Sequence, residues 1–231
     1  MFEREHHRRI ARALESFDAE LLRSQQCLFG GGTAIALRHG EYRESVDIDF
    51  IISNREGYRT LRQALTGPHG LAAISREGAH LVASRDIRAD QYGIRTMLRV
   101  DDVDIKLEIV LEARISLEAA GVDDSVCGVA TLTPLDLVAT KLLANSDRWA
   151  DDAVASRDLI DLAMMTPSRQ LLRQGIAKAS EAYGESVTAD LAKAIEKLRQ
   201  RPQRLEQCMA RMAMTGIPKA LLWQRIKALR P

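Results

Sequence analysis

The segment Asp47-Ile48-Asp49 has the plainest chemical potential in this chain. It lies in the run Ser45 to Ile52, whose apolar and polar residues alternate as in a strand. Residues two apart on a strand share a face, with about 7 Å between their Cα atoms. Two carboxylates so placed repel each other and resist desolvation unless a cation joins them. Hard oxygen donors suit Mg²⁺, which needs few protein ligands when substrate phosphates supply others. An acidic solvent face is the plain alternative for an isolated Asp-x-Asp pair, and the neighbouring residues weigh against it.

Upstream, the apolar run Cys27-Leu28-Phe29 stops at Gly30-Gly31-Gly32-Thr33, and Ala34 to Leu37 reads as a short helix. Glycines let backbone N–H groups approach an anion, and a helix N-terminus favours phosphate. Thr33 adds a hydroxyl donor, so Gly31, Gly32 and Thr33 form a candidate phosphate cradle beside a candidate metal site. A third carboxylate is expected from Asp104-Ile105-Lys106-Leu107-Glu108-Ile109-Val110. Strict alternation puts Asp104, Lys106 and Glu108 on one face. Glu108, set among apolar residues, is the preferred ligand, and Asp104, near a turn, is expected to be solvated.

The chain has 26 Arg but only 7 Lys, and Lys106 and Lys141 are the only lysines before Thr166. A compact ammonium that meets a phosphate as a point charge is one reason to keep lysine there; chance is the other. Lys141 lies beside the apolar stripe of a predicted helix. Asp158 and Asp161 stand three apart on another, which reads as a helix surface with ion pairs or as Asp158 directed into a cleft.

These residues need a scaffold. Hydrophobic residues make up 46% and charged residues 28% of the 231, enough for a sizeable core. Helices are expected over 5–26 and 55–65, and strands over 45–52, 94–100 and 103–110, with a weaker one at 126–132. Helical periodicity begins at Pro134 and runs through 134–146, 152–165, 168–182, 186–200, 203–214 and 218–229. The expected organisation is a mixed α/β lobe over 1–132 and a helical lobe over 133–231. The formal charge of +1 hides an asymmetry: Thr166 to Pro231 carries 13 basic and 5 acidic residues, a net of about +8. The rest is near −7.

Cys27, Cys127 and Cys208 are scattered, which suggests neither a disulfide framework nor a zinc site. The first nine residues are too charged for a signal peptide, and no apolar run is long enough to span a membrane. A cytoplasmic protein is expected.

The order Gly31-Gly32-Thr33, Arg43-x-Ser45-x-Asp47-x-Asp49, Lys106-x-Glu108, Asp136-x(4)-Lys141 and Arg157-Asp158-x-x-Asp161 resembles the AbiEii/AbiGii-type nucleotidyltransferase toxins. These include the MenT-type toxins and belong to the DNA polymerase β-like superfamily. The resemblance runs from Leu28 to Leu162 and implies an α+β fold: a mixed sheet with flanking helices, then a C-terminal helical bundle. It implies transfer of NMP from an NTP to an RNA acceptor, the tRNA 3′ end, as a toxin that blocks translation and is restrained by a cognate antitoxin. Carried over, Asp47 and Asp49 would bind two Mg²⁺ ions, with Mn²⁺ as an alternative ion. Glu108 would complete the metal site or act as general base. Gly31, Gly32 and Thr33 would hold phosphates, Lys141 the triphosphate, and Asp158 an acidic position of the site. Arg43 and Ser45 would brace the loop before the metal ligands, and Lys106 would contact substrate. Thr33 stands where the superfamily usually has Ser, and Glu108 where it commonly has Asp.

Two competing readings share the sheet. A small-molecule nucleotidyltransferase of the antibiotic-modifying kind would use the same metals, with acceptor identity as the discriminator; the basic C-terminal part favours a polyanion. A catalytically inactive binding protein would show no affinity for Mg²⁺–NTP, and the intact carboxylates weigh against it.

Overall fold

A computed structural model describes residues 2–230. The chain divides into two compact units. One is the chain up to Leu37 with Ser45–Thr133; the other is Arg38–Glu44 with the chain from Pro134 onward.

The first unit begins with α1 (Glu5–Ser16) and α2 (Ala19–Ser24), where one continuous helix was expected. The break falls at Phe17-Asp18, because the Asp18 carboxylate caps α2 by accepting from the Leu21 N–H at 2.9 Å. Then come β1 (Leu28–Phe29), α3 (Gly31–Arg38), β2 (Ile48–Ile52) and α4 (Arg55–Thr66), the last capped by Asn54. Two short strands, β3 (Val82–Ala83) and β4 (Arg88–Ala89), precede the long β5 (Gly93–Val100) and β6 (Val103–Leu111). The sheet order is β1-β2-β6-β5-β3, with β4 also on β5. β2 runs parallel to β6 and the other pairs are antiparallel.

Asp101 and Asp102 turn β5 into β6 with φ of 47° and 62°. Left-handed backbone at both turn residues matches the twist of a hairpin. The strand expected at 126–132 is instead a hairpin of β7 (Ser125–Val126) and β8 (Val129–Ala130), turned at Cys127-Gly128.

One sheet face is the core. Ile48, Phe50 and Ile52 of β2 align with Leu107 and Ile109 of β6, and Ile94 and Leu98 of β5 continue the layer, all buried. Phe50 meets Phe17 edge-on at 5.3 Å between ring centroids, and Tyr58, Leu61 and Leu65 of α4 join the same core. The alternate residues, Asp49, Lys106, Glu108 and Arg95, therefore share the opposite face, which is only partly covered.

The second unit is helical: α5 (Pro134–Arg148), α6 (Arg157–Met165), α7 (Arg169–Tyr183), α8 (Ser186–Gln200), α9 (Arg204–Arg211) and α10 (Lys219–Ala228). The helix expected over 152–165 is split, since Ala155 and Ser156 are left-handed. α7 lies close on α5 because Gly175 has no side chain; a Cβ there would stand 2.3 Å from Val138 Cγ1. Together these elements make the expected α+β architecture, a mixed sheet with flanking helices followed by a helical bundle. Among the described residues, no helix is long and apolar enough to cross a membrane.

Candidate active site

In the first unit, β2 starts at Ile48, so Asp47 precedes the strand rather than lying within it. The reason is local: residues before Ile48 are held by side chains instead of a ladder. Thr33 is buried, and its Oγ1 donates to the Asp47 carbonyl at 2.6 Å. With its single hydrogen so used, Thr33 accepts from Ser45 Oγ at 2.7 Å. The Ser45 N–H in turn donates to His7 Nε2 at 3.1 Å, and His7 is fully buried. Thr33 and Ser45 thus fix the backbone that presents Asp47. His7 was not foreseen; only its place near a helical stripe hinted at burial.

Helix α3 begins at Gly31, three residues earlier than expected, so Gly31, Gly32 and Thr33 form its first turn. The Gly30 N–H donates to the Asp49 carbonyl at 2.8 Å, which draws this turn against β2. Gly31 has φ of +66°, and a Cβ on it would lie 2.4 Å from Asp49 Oδ2. Both facts require glycine there. The N-terminus of an eight-residue helix therefore sits directly beside a carboxylate that is half-buried.

Asp49 pairs with Glu108 across β2 and β6, and Glu108 with Arg95 across β6 and β5. Paired residues on neighbouring strands stand about 4.8 Å apart. The Glu108 carboxylate accepts from Arg95 Nε at 2.7 Å and is ion-paired with Lys106. Burial pushes its pKa up, but the Lys106 and Arg95 contacts outweigh this and hold it below the ordinary glutamate value. Arg95 also reaches Asp90 at 3.2 Å. Asp104 is ion-paired with Arg99 at 2.8 Å and belongs to the outer part of the ladder. Among the described residues, no three His, Cys, Asp or Glu side chains converge as a metal cage.

The second unit contains Lys141, Asp158, Asp161 and Arg43 together. Lys141 Nζ lies 2.9 Å from Asp158 Oδ1 and 2.7 Å from Asp161 Oδ2. Arg43 grips Asp161 with Nε at 2.7 Å and Nη2 at 3.1 Å, and its Nη1 donates to the Glu44 carbonyl. The Tyr42 hydroxyl donates to Asp161 at 2.6 Å. Arg148 makes two bonds to Asp158, at 2.6 and 2.9 Å. Asp158 and Asp161 are buried, so they are not a solvated helix surface. Burial alone would raise both carboxyl pKa values; for Asp158 the Lys141 and Arg148 charges reverse this, and for Asp161 the Arg43 and Lys141 charges do. Three cations face two carboxylates here, and only Arg148, 38% exposed, brings the surplus charge to solvent. Arg43 is spent on Asp161 and the 44 carbonyl, which makes it a brace. Sequence spacing paired Asp158 with Asp161 but gave no sign of Arg43, Tyr42 or Arg148 as their partners.

A family model described as "Nucleotidyl transferase AbiEii toxin, Type IV TA system" matches residues 12–228. No curated protein matches the chain. Among solved structures, the chain is similar to a protein from H. pylori described as a "putative nucleotidyltransferase". The two share 19% identity over 97% of this chain and 93% of that one, with a TM-score of 0.49.

Proposed function

The chain belongs to the AbiEii nucleotidyltransferase toxins of type IV toxin–antitoxin systems, and from that premise we propose that it transfers NMP from an NTP to the 3′ end of an RNA, tRNA being the acceptor that stops translation. Membership implies a nucleotide substrate and an antitoxin. The observation that carries the reading is the first turn of α3 pressed against Asp49, with Asp47 fixed two residues before it by Thr33.

The donor set fits Mg²⁺. Asp47 and Asp49 offer hard oxygens beside backbone N–H groups able to meet phosphate, and an ion with two protein carboxylates completes its shell from substrate oxygens and water. Asp47 and Asp49 would hold the ion, which when bound supplies neutralisation of phosphate charge. Glu108, already held by Arg95 and Lys106, is assigned to orienting those cations on the same face.

In the reaction, the acceptor hydroxyl oxygen attacks the α-phosphorus. The new O–P bond forms as the bond to the bridging oxygen breaks. Pyrophosphate leaves with that electron pair, and the hydroxyl proton passes to solvent. The protein's part is positioning and electrostatic support. The α3 turn orients the triphosphate, and Thr33 and Ser45 keep Asp47 from drifting. Lys141 and Asp158 contribute as a rigid pair that holds α5 to α6 within the second unit.

The test is incubation with each α-labelled NTP and total tRNA in Mg²⁺, followed by a denaturing gel. Label should enter RNA with wild type and not with D47N/D49N. Label entering RNA with the double variant would overturn the assignment, and label entering only a small-molecule acceptor would redirect it.

A further inference from the structure

The first unit has a second charged feature on the same sheet face. Arg85, Arg88, Arg95 and Lys106, with Asp86, line a cavity of about 660 Å³ over β5 and β6. Arg85 and Arg88 are exposed and make no ion pair among the described residues. Lys106 and Arg95 are partly answered by Glu108, and Arg95 also by Asp90. The basin thus has a surplus of positive charge, and its most exposed cations are the uncommitted ones.

Its position is as informative as its charge. Sheet order puts β1 and the start of α3 on one flank of β2, and β6, β5 and β4 on the other. Arg95 is two strands from Asp49, about 10 Å away in the strand-to-strand direction. An in-line displacement needs the attacking and leaving oxygens on opposite sides of the phosphorus. With the triphosphate on α3, an acceptor coming from the β5 side would lie on the opposite flank of β2.

We propose that the Arg85–Arg88–Arg95–Lys106 basin holds backbone phosphates of the single-stranded 3′ end of the acceptor RNA, leading its terminal hydroxyl toward Asp49. The proposal rests on the function proposed above and assigns its acceptor track. Phosphate contacts position a strand without reading its bases, so the basin would accept an end of any sequence. The exposure of Arg85 and Arg88 fits a chain that must enter and leave.

The experiment compares wild type with R85E/R88E, both positions being exposed, and with R85Q/R88Q as the milder pair. Binding of a short labelled single-stranded RNA is measured across a salt series, and binding of Mg²⁺ with each NTP is measured separately. The expected result is RNA affinity lower by roughly tenfold or more for R85E/R88E, with a salt slope shallower by about 1.4 for two lost phosphate contacts. NTP affinity should be unchanged, and the Gln pair should show the same trend in smaller measure. RNA affinity equal to wild type in both pairs overturns the proposal. So does a parallel loss of NTP affinity, which would make the basin a triphosphate site. RNA binding is read without turnover, so absence of NMP transfer in wild type would count against the proposed function and leave this result standing.

Discussion

Among the described residues, one cluster of Asp, Lys and Arg in each unit bears on the candidate site, and the two are built oppositely. In the second unit, Lys141, Arg43, Asp158 and Asp161 are buried and consume one another's hydrogen-bonding capacity. On the sheet face of the first unit, Asp47, Asp49, Lys106 and Glu108 are only partly covered, and Arg85 and Arg88 beside them are exposed. A sealed network fixes its own geometry and has little left for a ligand. An open one keeps its groups within reach of solvent and so can still bind. The same residue types therefore form a buried, self-paired cluster and a partly exposed one.

The largest effect should come from breaking the sealed cluster. Asp161→Ala would leave Arg43 buried without its carboxylate and Lys141 with Asp158 alone, and loss of one partner from a buried pair costs about 3–5 kcal/mol. Chemical denaturation should show it as a lowered midpoint. The cluster also has a pH signature. Asp158 and Asp161 have pKa values depressed on folding, so their contribution is present above the unfolded carboxylate pKa, near 4, and lost as pH falls below it. Wild type should lose stability steeply under about pH 4, and the Asp161→Ala protein less steeply. Equal acid sensitivity in the two would contradict the sealed reading.

Asp49→Asn tests the open cluster. NMP transfer should fall by about 100-fold or more, while the denaturation midpoint stays within the ordinary scatter of about 0.5 kcal/mol for a partly exposed site. A large stability loss with transfer retained would reverse the contrast between the clusters. Gly31→Ala should act on both properties. A side chain there meets a left-handed φ of +66° and the Asp49 carboxylate at once, a cost of about 1–3 kcal/mol, and Mg²⁺–NTP affinity should drop with it. Unchanged NTP affinity would separate the α3 turn from the phosphates.

The sheet and the positions of the candidate residues on it were legible because their signals are local. Alternation in β5 and β6 showed both strands and the face shared by Lys106 and Glu108, and the glycine turn expected beside Asp47-x-Asp49 does lie against Asp49. Long-range pairings carried no such signal. Nothing near Asp161 announces Arg43, which lies 118 residues earlier, and nothing near Glu108 announces Arg95 on the neighbouring strand. The early stop of α1 and the split at Ala155-Ser156 were also hidden, since a cap or a left-handed residue can interrupt a periodic pattern without changing it. Burial of Asp158 was missed for a related reason: its partners come from other elements, and only they make burial affordable.

Two rungs of one ladder offer the finest discrimination. Arg95–Glu108 and Arg99–Asp104 are both arginine–carboxylate pairs on the same face of β5 and β6. They are four residues apart along the strand, about 13 Å. Glu108 is 17% exposed and adjoins Asp49; Asp104 is 33% exposed and nearer the β5–β6 turn. An exposed pair contributes at most about 1 kcal/mol, so Asp104→Asn should change stability little and transfer not measurably. Glu108→Gln keeps the shape but removes the charge that orients Arg95 and Lys106, so it should weaken RNA binding or transfer with little change in the denaturation midpoint. If Asp104→Asn proved as damaging to transfer as Glu108→Gln, the functional face would extend to the turn. The distinction between a charge that serves the site and one that merely decorates the strand would then have to be redrawn.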